Sequence, residues 1–155
     1  MLAAGRPAVE AKYGLKPIAS CRNGDNCFMV GNPLGAIVGT NAGVFGGSIG
    51  QYPTGSLGCI AIVFLRYDST GWHYVDSACY QNPGGVPGPF DHVSVASGCA
   101  NVRTSPSLSA TVLACLRAQT EVAVDSAPVY ADSHIWWHLA GRGWMVHDYL
   151  LAPNL

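Results

Sequence analysis

The sequence predicts a mostly β protein, in which a small α+β domain (a short helix plus an antiparallel sheet) is followed by a small barrel or sandwich. Charged residues are only 11% of the 155 residues, whereas soluble domains typically contain about 25%. The 19 glycines and 10 prolines favour short strands and many turns over long helices. Short apolar runs separated by turn residues recur along the chain, which is typical of β structure.

The first element is a short helix, predicted in the stretch RPAVEAKYGL. Pro7 suits the first turn of a helix, and Val9, Tyr13 and Leu15 are spaced to share one face. Pro17 is expected to end this segment. The glycine-rich stretch that follows, from Gly31 to Gly58, predicts brief strands and tight turns.

The clearest β signal of the first half is CIAIVFLRYDSTGWHYVDSACY, which predicts two strands joined by a turn at residues 68–71. Cys59 and Cys79 are almost equidistant from that turn and could face each other across the ladder. The six cysteines are even in number and contain no CxxC pair, which favours disulfides over zinc or redox chemistry. The alternative is a cytosolic protein with buried free thiols. The predicted bridges are Cys21–Cys27, Cys59–Cys79 and Cys99–Cys115.

A domain boundary is predicted at QNPGGVPGPF, residues 81–90, which contains three prolines and three glycines. Neither a helix nor a sheet interior tolerates that composition. We therefore predict a disulfide-stabilised domain at 1–82, a linker at 83–92 and a second domain at 93–155. The second domain contains the short β-like runs HVSVAS, ATVLACL, TEVAVD, IWWHLAG and GWMVHDYLL.

Within the second domain, residues 95–153 resemble the bacterial SH3 (SH3b) family. The resemblance rests on the opening NVR followed by SPS, the strand LRAQTEVAV, the strand WWHL and the closing GWMVHDYL. The stretch DSAPVYADSH departs from the family pattern by lengthening the loop before the tryptophan strand. The resemblance implies an SH3-like β-barrel that serves as a recognition module, often in exported bacterial proteins that meet cell-wall peptide or other extracytoplasmic partners. Residues 1–82 show no such resemblance.

The tryptophan strand predicts one aromatic side chain that faces away from the core. Successive side chains of a strand point to opposite faces, so Trp136 and Trp137 cannot enter the same core. Ile135, Trp137 and Leu139 form a coherent apolar face, which leaves Trp136 on the other face, where we expect it to be exposed. The alternative is a bulge that exchanges the positions of Trp136 and Trp137. Trp144 is expected to lie in the core. The predicted ligand-binding residues are Trp136, Tyr130, His134 and Tyr149.

Several classes of function are disfavoured. The formal net charge of −1, with eight scattered Lys and Arg residues, provides no basic surface for nucleic acid. No apolar run reaches the ~20 residues of a membrane span. His134 and His138 would lie about 13 Å apart on a strand, too far for one metal ion. Because hydrolase, phosphate-loop and calcium-loop motifs are also missing, we predict no catalytic residue, metal or cofactor.

The predicted location is extracellular or at the cell surface. The start MLAAGRPAVE lacks the features of a secretory signal, and the cysteines favour a signal that was removed. The sequence thus predicts a secreted, non-catalytic bacterial protein that binds cell-wall peptide or an extracytoplasmic protein. The alternative is a structural protein that assembles with copies of itself into a layer or filament, and an enzymatic activity in residues 1–82 is a third hypothesis.

Overall fold

The computed structural model describes residues 1–30, 36–53, 57–80 and 92–151. It confirms a mostly β architecture with one N-terminal helix and antiparallel sheets. Helix α1 spans Leu2–Lys12, and short 3-10 helices span Ile18–Ser20 and His147–Tyr149. The first sheet contains β1 Asn26–Met29, β2 Ala36–Val38, β3 Ala42–Gln51, β4 Leu57–Asp68 and β5 Gly71–Tyr80. The remaining strands are β6 His92–Val93, β7 Cys99–Arg103, β8 Val112–Arg117, β9 Val129–Ala131, β10 His134–Leu139, β11 Gly143–Val146 and β12 Leu150–Leu151.

Helix α1 begins earlier than the sequence predicts. Pro7 lies inside the helix rather than at its first turn. One face of the helix packs against the first sheet. Val9 is fully buried there, and at Gly5 an added Cβ would come within 2.9 Å of Phe45 and Val63. This close approach of the helix to the sheet accounts for a glycine at this position.

The first sheet has the strand order β1-β3-β4-β5, and β2 also pairs with β3. The β4–β5 hairpin confirms the strongest β prediction of the first half, with its turn between Asp68 and Gly71. Strand β4 is apolar on both faces because the sheet has a core on each side. Val63 and Leu65 pack in the cluster beneath α1, whereas Ile62 and Phe64 pack in the cluster beneath the second sheet.

The second sheet is a curled half-barrel with the order β8-β7-β11-β10-β9, and β6 pairs with β12 beside it. The run TEVAVD was predicted as a strand, but it makes only two isolated bridges, from Glu121 to His92 and from Val124 to Leu139. The stretch DSAPVYADSH, predicted as a long loop, contains β9. Asp132 and Ser133 have φ of 50° and 65°, the pattern of a tight two-residue hairpin turn.

All three predicted disulfides are confirmed. Cys21 pairs with Cys27, Cys59 with Cys79, and Cys99 with Cys115. No cysteine of the chain is free. The second bridge ties β4 to β5 and the third ties β7 to β8, so two of the three bridges fix neighbouring strands.

The two sheets share a core and make direct polar contacts. Val44 and Phe64 of the first sheet belong to the same buried cluster as Trp137 and Leu139 of the second. The side-chain amide of Asn41 donates to the Tyr130 carbonyl at 2.8 Å and accepts from the Tyr130 N–H at 3.0 Å. Most of the predicted linker, residues 83–91, lies outside the described residues, and the division at this point stays a prediction.

Candidate functional site

Strand β10 has the alternation that the sequence predicts, but Trp136 is not exposed. Ile135, Trp137 and Leu139 all enter the core shared by the two sheets, which confirms the predicted apolar face. Trp136 lies on the opposite face, and its exposed fraction is nevertheless 0%. The expectation that this tryptophan presents its ring to solvent is therefore wrong.

The loop between β7 and β8 lies next to Trp136, since its Leu108 lines the same small cavity. Asp132, in the β9–β10 turn, accepts hydrogen bonds from the Leu108 N–H at 2.7 Å and from the Ser107 hydroxyl at 2.8 Å. These bonds, first of all the one from Leu108, lower the pKa of the Asp132 carboxyl. The Arg103 guanidinium holds the end of the same loop by donating to the Ala110 carbonyl at 2.8 Å. The indole N–H of Trp136 donates to the Ala131 carbonyl at 2.9 Å, so the ring has no unsatisfied donor.

A small groove lies between this loop and the 3-10 helix at His147–Tyr149. We call it the outer groove, and its volume is about 110 Å³. Trp136 and Val146 are apolar and buried, whereas Leu108 and Tyr149 are half exposed at the rim. The residues that line the outer groove are Cys99, Ala100, Asn101, Arg103, Leu108, Trp136, Val146 and Tyr149. Of the four predicted ligand-binding residues, the structure brings two, Trp136 and Tyr149, to this groove.

The other two predicted residues lie elsewhere. Tyr130 is at the contact between the sheets, where its backbone pairs with the Asn41 side chain. The Arg66 guanidinium of the first sheet stands 6.0 Å from the centre of the Tyr130 ring. His134 faces a different cavity, and its Nδ1 lies 3.6 Å from an Asp148 carboxylate oxygen. The predicted four-residue site is therefore divided among three places.

The cavity beside His134 lies between the two sheets, and we call it the junction cleft. Its volume is about 280 Å³. Phe64 and Val75 of the first sheet and Ile135 of the second form its apolar walls, and the carboxylates of Asp76 and Asp148 stand at its rim. Asp76 is already paired with Lys12, whose Nζ lies 2.7 Å from its carboxylate.

His147 forms one wall of the junction cleft and is buried. Its ring centre lies 3.9 Å from that of Phe64, and its Nδ1 accepts a hydrogen bond from the Trp137 indole N–H at 3.2 Å. Desolvation lowers the pKa of His147 to about 3, since burial disfavours the charged imidazolium. Sequence reasoning missed this residue because its burial depends on Phe64, which is distant in the chain.

The outer face of the second sheet also holds Trp144. The prediction that Trp144 lies in the core is wrong, since it is half-buried and its neighbour Met145 enters the core instead. The ring of Trp144 meets that of His138 edge to face, with 5.3 Å between centres. His138 in turn lies 2.6 Å from an Asp125 carboxylate oxygen. These side chains add aromatic surface to the same face that carries Trp136.

Comparison with protein-family models, curated proteins and solved structures finds no match to this chain. The bacterial SH3 resemblance, and the β-barrel that it implies, therefore stay a prediction. Within the described ranges, no group of three or more His, Cys, Asp or Glu side chains is arranged to hold a metal ion. The helices in the described part of the chain are all too short to cross a bilayer.

Proposed function

We propose that the protein is an exported bacterial binding protein, without catalytic activity, whose second sheet recognises an extended peptide of the cell wall or of an extracytoplasmic partner. The observation that carries the proposal is the outer groove, where Trp136 and Val146 form an apolar floor and Tyr149 is 43% exposed at the rim. Aromatic side chains at such a rim bind with large contact area at little cost in conformational entropy. Three disulfides suit an oxidising compartment such as the cell exterior.

The polar lining of the outer groove favours a peptide over a purely apolar ligand. Arg103 has five N–H donors, of which one at Nη1 is directed to the Ala110 carbonyl. Asn101 adds an amide that is able to both donate and accept. A peptide offers carbonyl oxygens and N–H groups at regular intervals, and this chemistry matches a groove with one guanidinium and one amide. In this proposal Trp136 is buried and supports the floor of the groove, and it does not cover the bound ligand.

Tyr149 is the residue to test, because it is exposed and its removal leaves the core intact. We expect Tyr149→Ala to reduce capture of the oxidised full chain by purified bacterial cell wall at least tenfold, equivalent to about 1.4 kcal/mol. Tyr67→Ala is the matched control, since Tyr67 is also about half exposed but lies on the first sheet. The melting temperatures of both variants should stay close to that of the parent. Equal capture of the parent and Tyr149→Ala, or equal loss in Tyr149→Ala and Tyr67→Ala, would contradict the proposal.

Assembly into a layer or filament is the second candidate function. It is favoured by exposed apolar side chains on both sheets, such as Val38 and Tyr67 on the first and Leu113 on the second. Low net charge further favours association. Light scattering distinguishes the candidates, because an open assembly grows steadily in mass with concentration. A mass that stays at one or two chains would contradict a layer or filament.

A further inference from the structure

Arg103 is the one basic residue that lines the outer groove, and it forms no ion pair with a carboxylate in the described part of the chain. Its Nη1 donates to the Ala110 carbonyl, which is a neutral acceptor. None of its nitrogens is buried without a partner, so its remaining N–H donors are accessible from outside. The groove therefore contains a positive charge that the described side chains do not neutralise.

The guanidinium of Arg103 is held in place before a ligand binds. Arg103 is the last residue of β7, and its backbone pairs with Trp144 of β11. Its hydrogen bond to the Ala110 carbonyl fixes the guanidinium at the loop. Ordering a long side chain opposes binding, and here part of that conformational entropy is already lost on folding. A planar guanidinium in a fixed position is suited to bind both oxygens of a carboxylate.

The surroundings of Arg103 favour a ligand with an anionic group beside an apolar one. None of the residues that line the outer groove is acidic. Asp132 accepts hydrogen bonds from the loop and Asp148 lines the junction cleft, so neither carboxylate belongs to the lining of the outer groove. Trp136 and Val146 form the apolar floor of the same groove. Charge complementarity thus points to a carboxylate at the guanidinium and an apolar group on the floor.

We propose that the outer groove binds the carboxyl end of a peptide, with the terminal carboxylate at Arg103 and the side chain of a small last residue against Trp136 and Val146. This inference rests on the proposed function, in which the same groove binds a peptide. Asn101 lies two residues before Arg103 on β7, and both side chains line the groove. The Asn101 amide is therefore placed to bond the peptide backbone next to the terminal residue.

The size of the outer groove favours a chain end over an internal acidic residue. Its volume of about 110 Å³ is well below the ~300–1,000 Å³ of pockets that enclose whole small ligands. At a chain end, the carboxylate and the last side chain branch from the same Cα atom, so both enter a small groove together. In aspartate or glutamate the carboxylate is the tip of the side chain and has no apolar group beside it. A small last residue such as alanine therefore fits a guanidinium next to an apolar floor.

NMR titration of the isotope-labelled, oxidised full chain with three small probes at equal ionic strength tests the proposal. The first probe is N-acetyl-alanyl-alanine, which ends in a free carboxylate, and the second is its amide, which is neutral. The third is the α-amide of N-acetyl-alanyl-glutamic acid, which has its carboxylate on a side chain. We expect the free acid to shift the signals of Asn101, Arg103 and Tyr149 with a millimolar Kd. The other two probes should bind at least tenfold more weakly.

Substitution of Arg103 tests whether the guanidinium binds the carboxylate. Arg103→Gln removes the charge and keeps an N–H donor for the Ala110 carbonyl, and we expect it to weaken binding of the free acid at least tenfold. Arg22→Gln is the matched control, because Arg22 is exposed, precedes β1 and does not line the groove. It removes the same charge and should leave the Kd of the free acid unchanged. If Arg103→Gln fails to fold, the comparison of the three probes on the parent still decides the proposal.

Several results would overturn the carboxylate site. These are unshifted groove signals in the parent at about 50 mM free acid, equal binding of the free acid and its amide, and equal losses in Arg103→Gln and Arg22→Gln. Binding of the glutamate probe as tight as that of the free acid would overturn the assignment to a chain end. Cell-wall capture that depends on Tyr149, without a preference for the free acid, would refute this inference and leave the proposed function intact. Binding of the free acid without cell-wall capture would refute the cell wall as the source of the peptide and support the carboxylate site.

Discussion

His147 should make the free energy of unfolding depend on pH in a range where the carboxylates of the protein do not contribute to that dependence. In the folded chain the pKa of His147 is lowered to about 3 by burial, whereas an unfolded histidine titrates near about 6.5. Above that pH the imidazole is neutral in both states, and folding carries no penalty from it. As the pH falls, the unfolded state takes up a proton that the folded state cannot, and the free energy of unfolding decreases.

The size of the effect follows from the difference between the two pKa values. Each pH unit between them costs about 1.4 kcal/mol. Lowering the pH from about 7.5 to about 4.5 should therefore reduce the free energy of unfolding by roughly 2 to 3 kcal/mol. Below a pH near 3 both states are protonated and the loss from this residue ends.

Other groups contribute to the pH dependence of stability in a different pH range. Hydrogen bonds lower the pKa values of Asp25, Asp68 and Asp132 in the folded chain. The stability that these carboxylates contribute is present at neutral pH and is lost as the pH falls below the ordinary carboxyl range, at about 4. The interval from about pH 6.5 to about pH 4.5 thus isolates the histidine.

The matched variant is His147→Asn, because the amide oxygen of asparagine is able to replace Nδ1 as acceptor for the Trp137 indole N–H. Urea unfolding of the oxidised chain at several pH values, followed by tryptophan fluorescence, measures the slope. We expect the parent to lose roughly 2 to 3 kcal/mol over the stated range and His147→Asn to lose much less. An unchanged slope in His147→Asn would refute the reasoning, as would an imidazole signal of His147 that titrates near pH 6.5 in NMR spectra.

Two further substitutions test the packing that surrounds the candidate site. Trp136→Ala should lower the free energy of unfolding by about 3–5 kcal/mol, because a fully buried aromatic ring is lost. A loss below about 1 kcal/mol, measured by urea unfolding, would show that the ring is accessible to solvent. Gly39→Ala would bring a Cβ to 2.1 Å from the Pro128 carbonyl oxygen and should cost about 1–3 kcal/mol. It should also speed exchange of the Tyr130 amide hydrogen, which the Asn41 side chain holds, and an unaltered exchange rate would contradict a strained contact between the sheets.

Local patterns in the sequence predict the disulfides and the face of β10 correctly. Cys59 and Cys79 flank a strong hairpin, so their pairing follows from the distance of each cysteine to the turn. The alternation of Ile135, Trp137 and Leu139 likewise depends only on the geometry of a strand. Both features are decided within about twenty residues of chain, which is the scale that periodicity and spacing describe.

The errors arise where distant segments meet. Trp136 is buried and shares the outer groove with Leu108, whose N–H is bound by Asp132, 24 residues later in the chain. Alternation correctly assigns Trp136 to the outer face, but it carries no information about a loop that folds back over that face. His147 is the same case at greater distance, since it is buried against the ring of Phe64 in the other sheet.

The shared core determines how the candidate sites have to be studied. Phe64 packs with Trp137 and Leu139, and the two hydrogen bonds between Asn41 and Tyr130 join the sheets at their rim. Cutting the chain at the predicted linker would expose these apolar side chains to water and leave buried polar groups without partners, both of which oppose folding. It would also remove one wall of the junction cleft. Loss of binding by an isolated half would then reflect damage to the core and would not show that this half lacks the binding site. Each test above therefore uses the full oxidised chain.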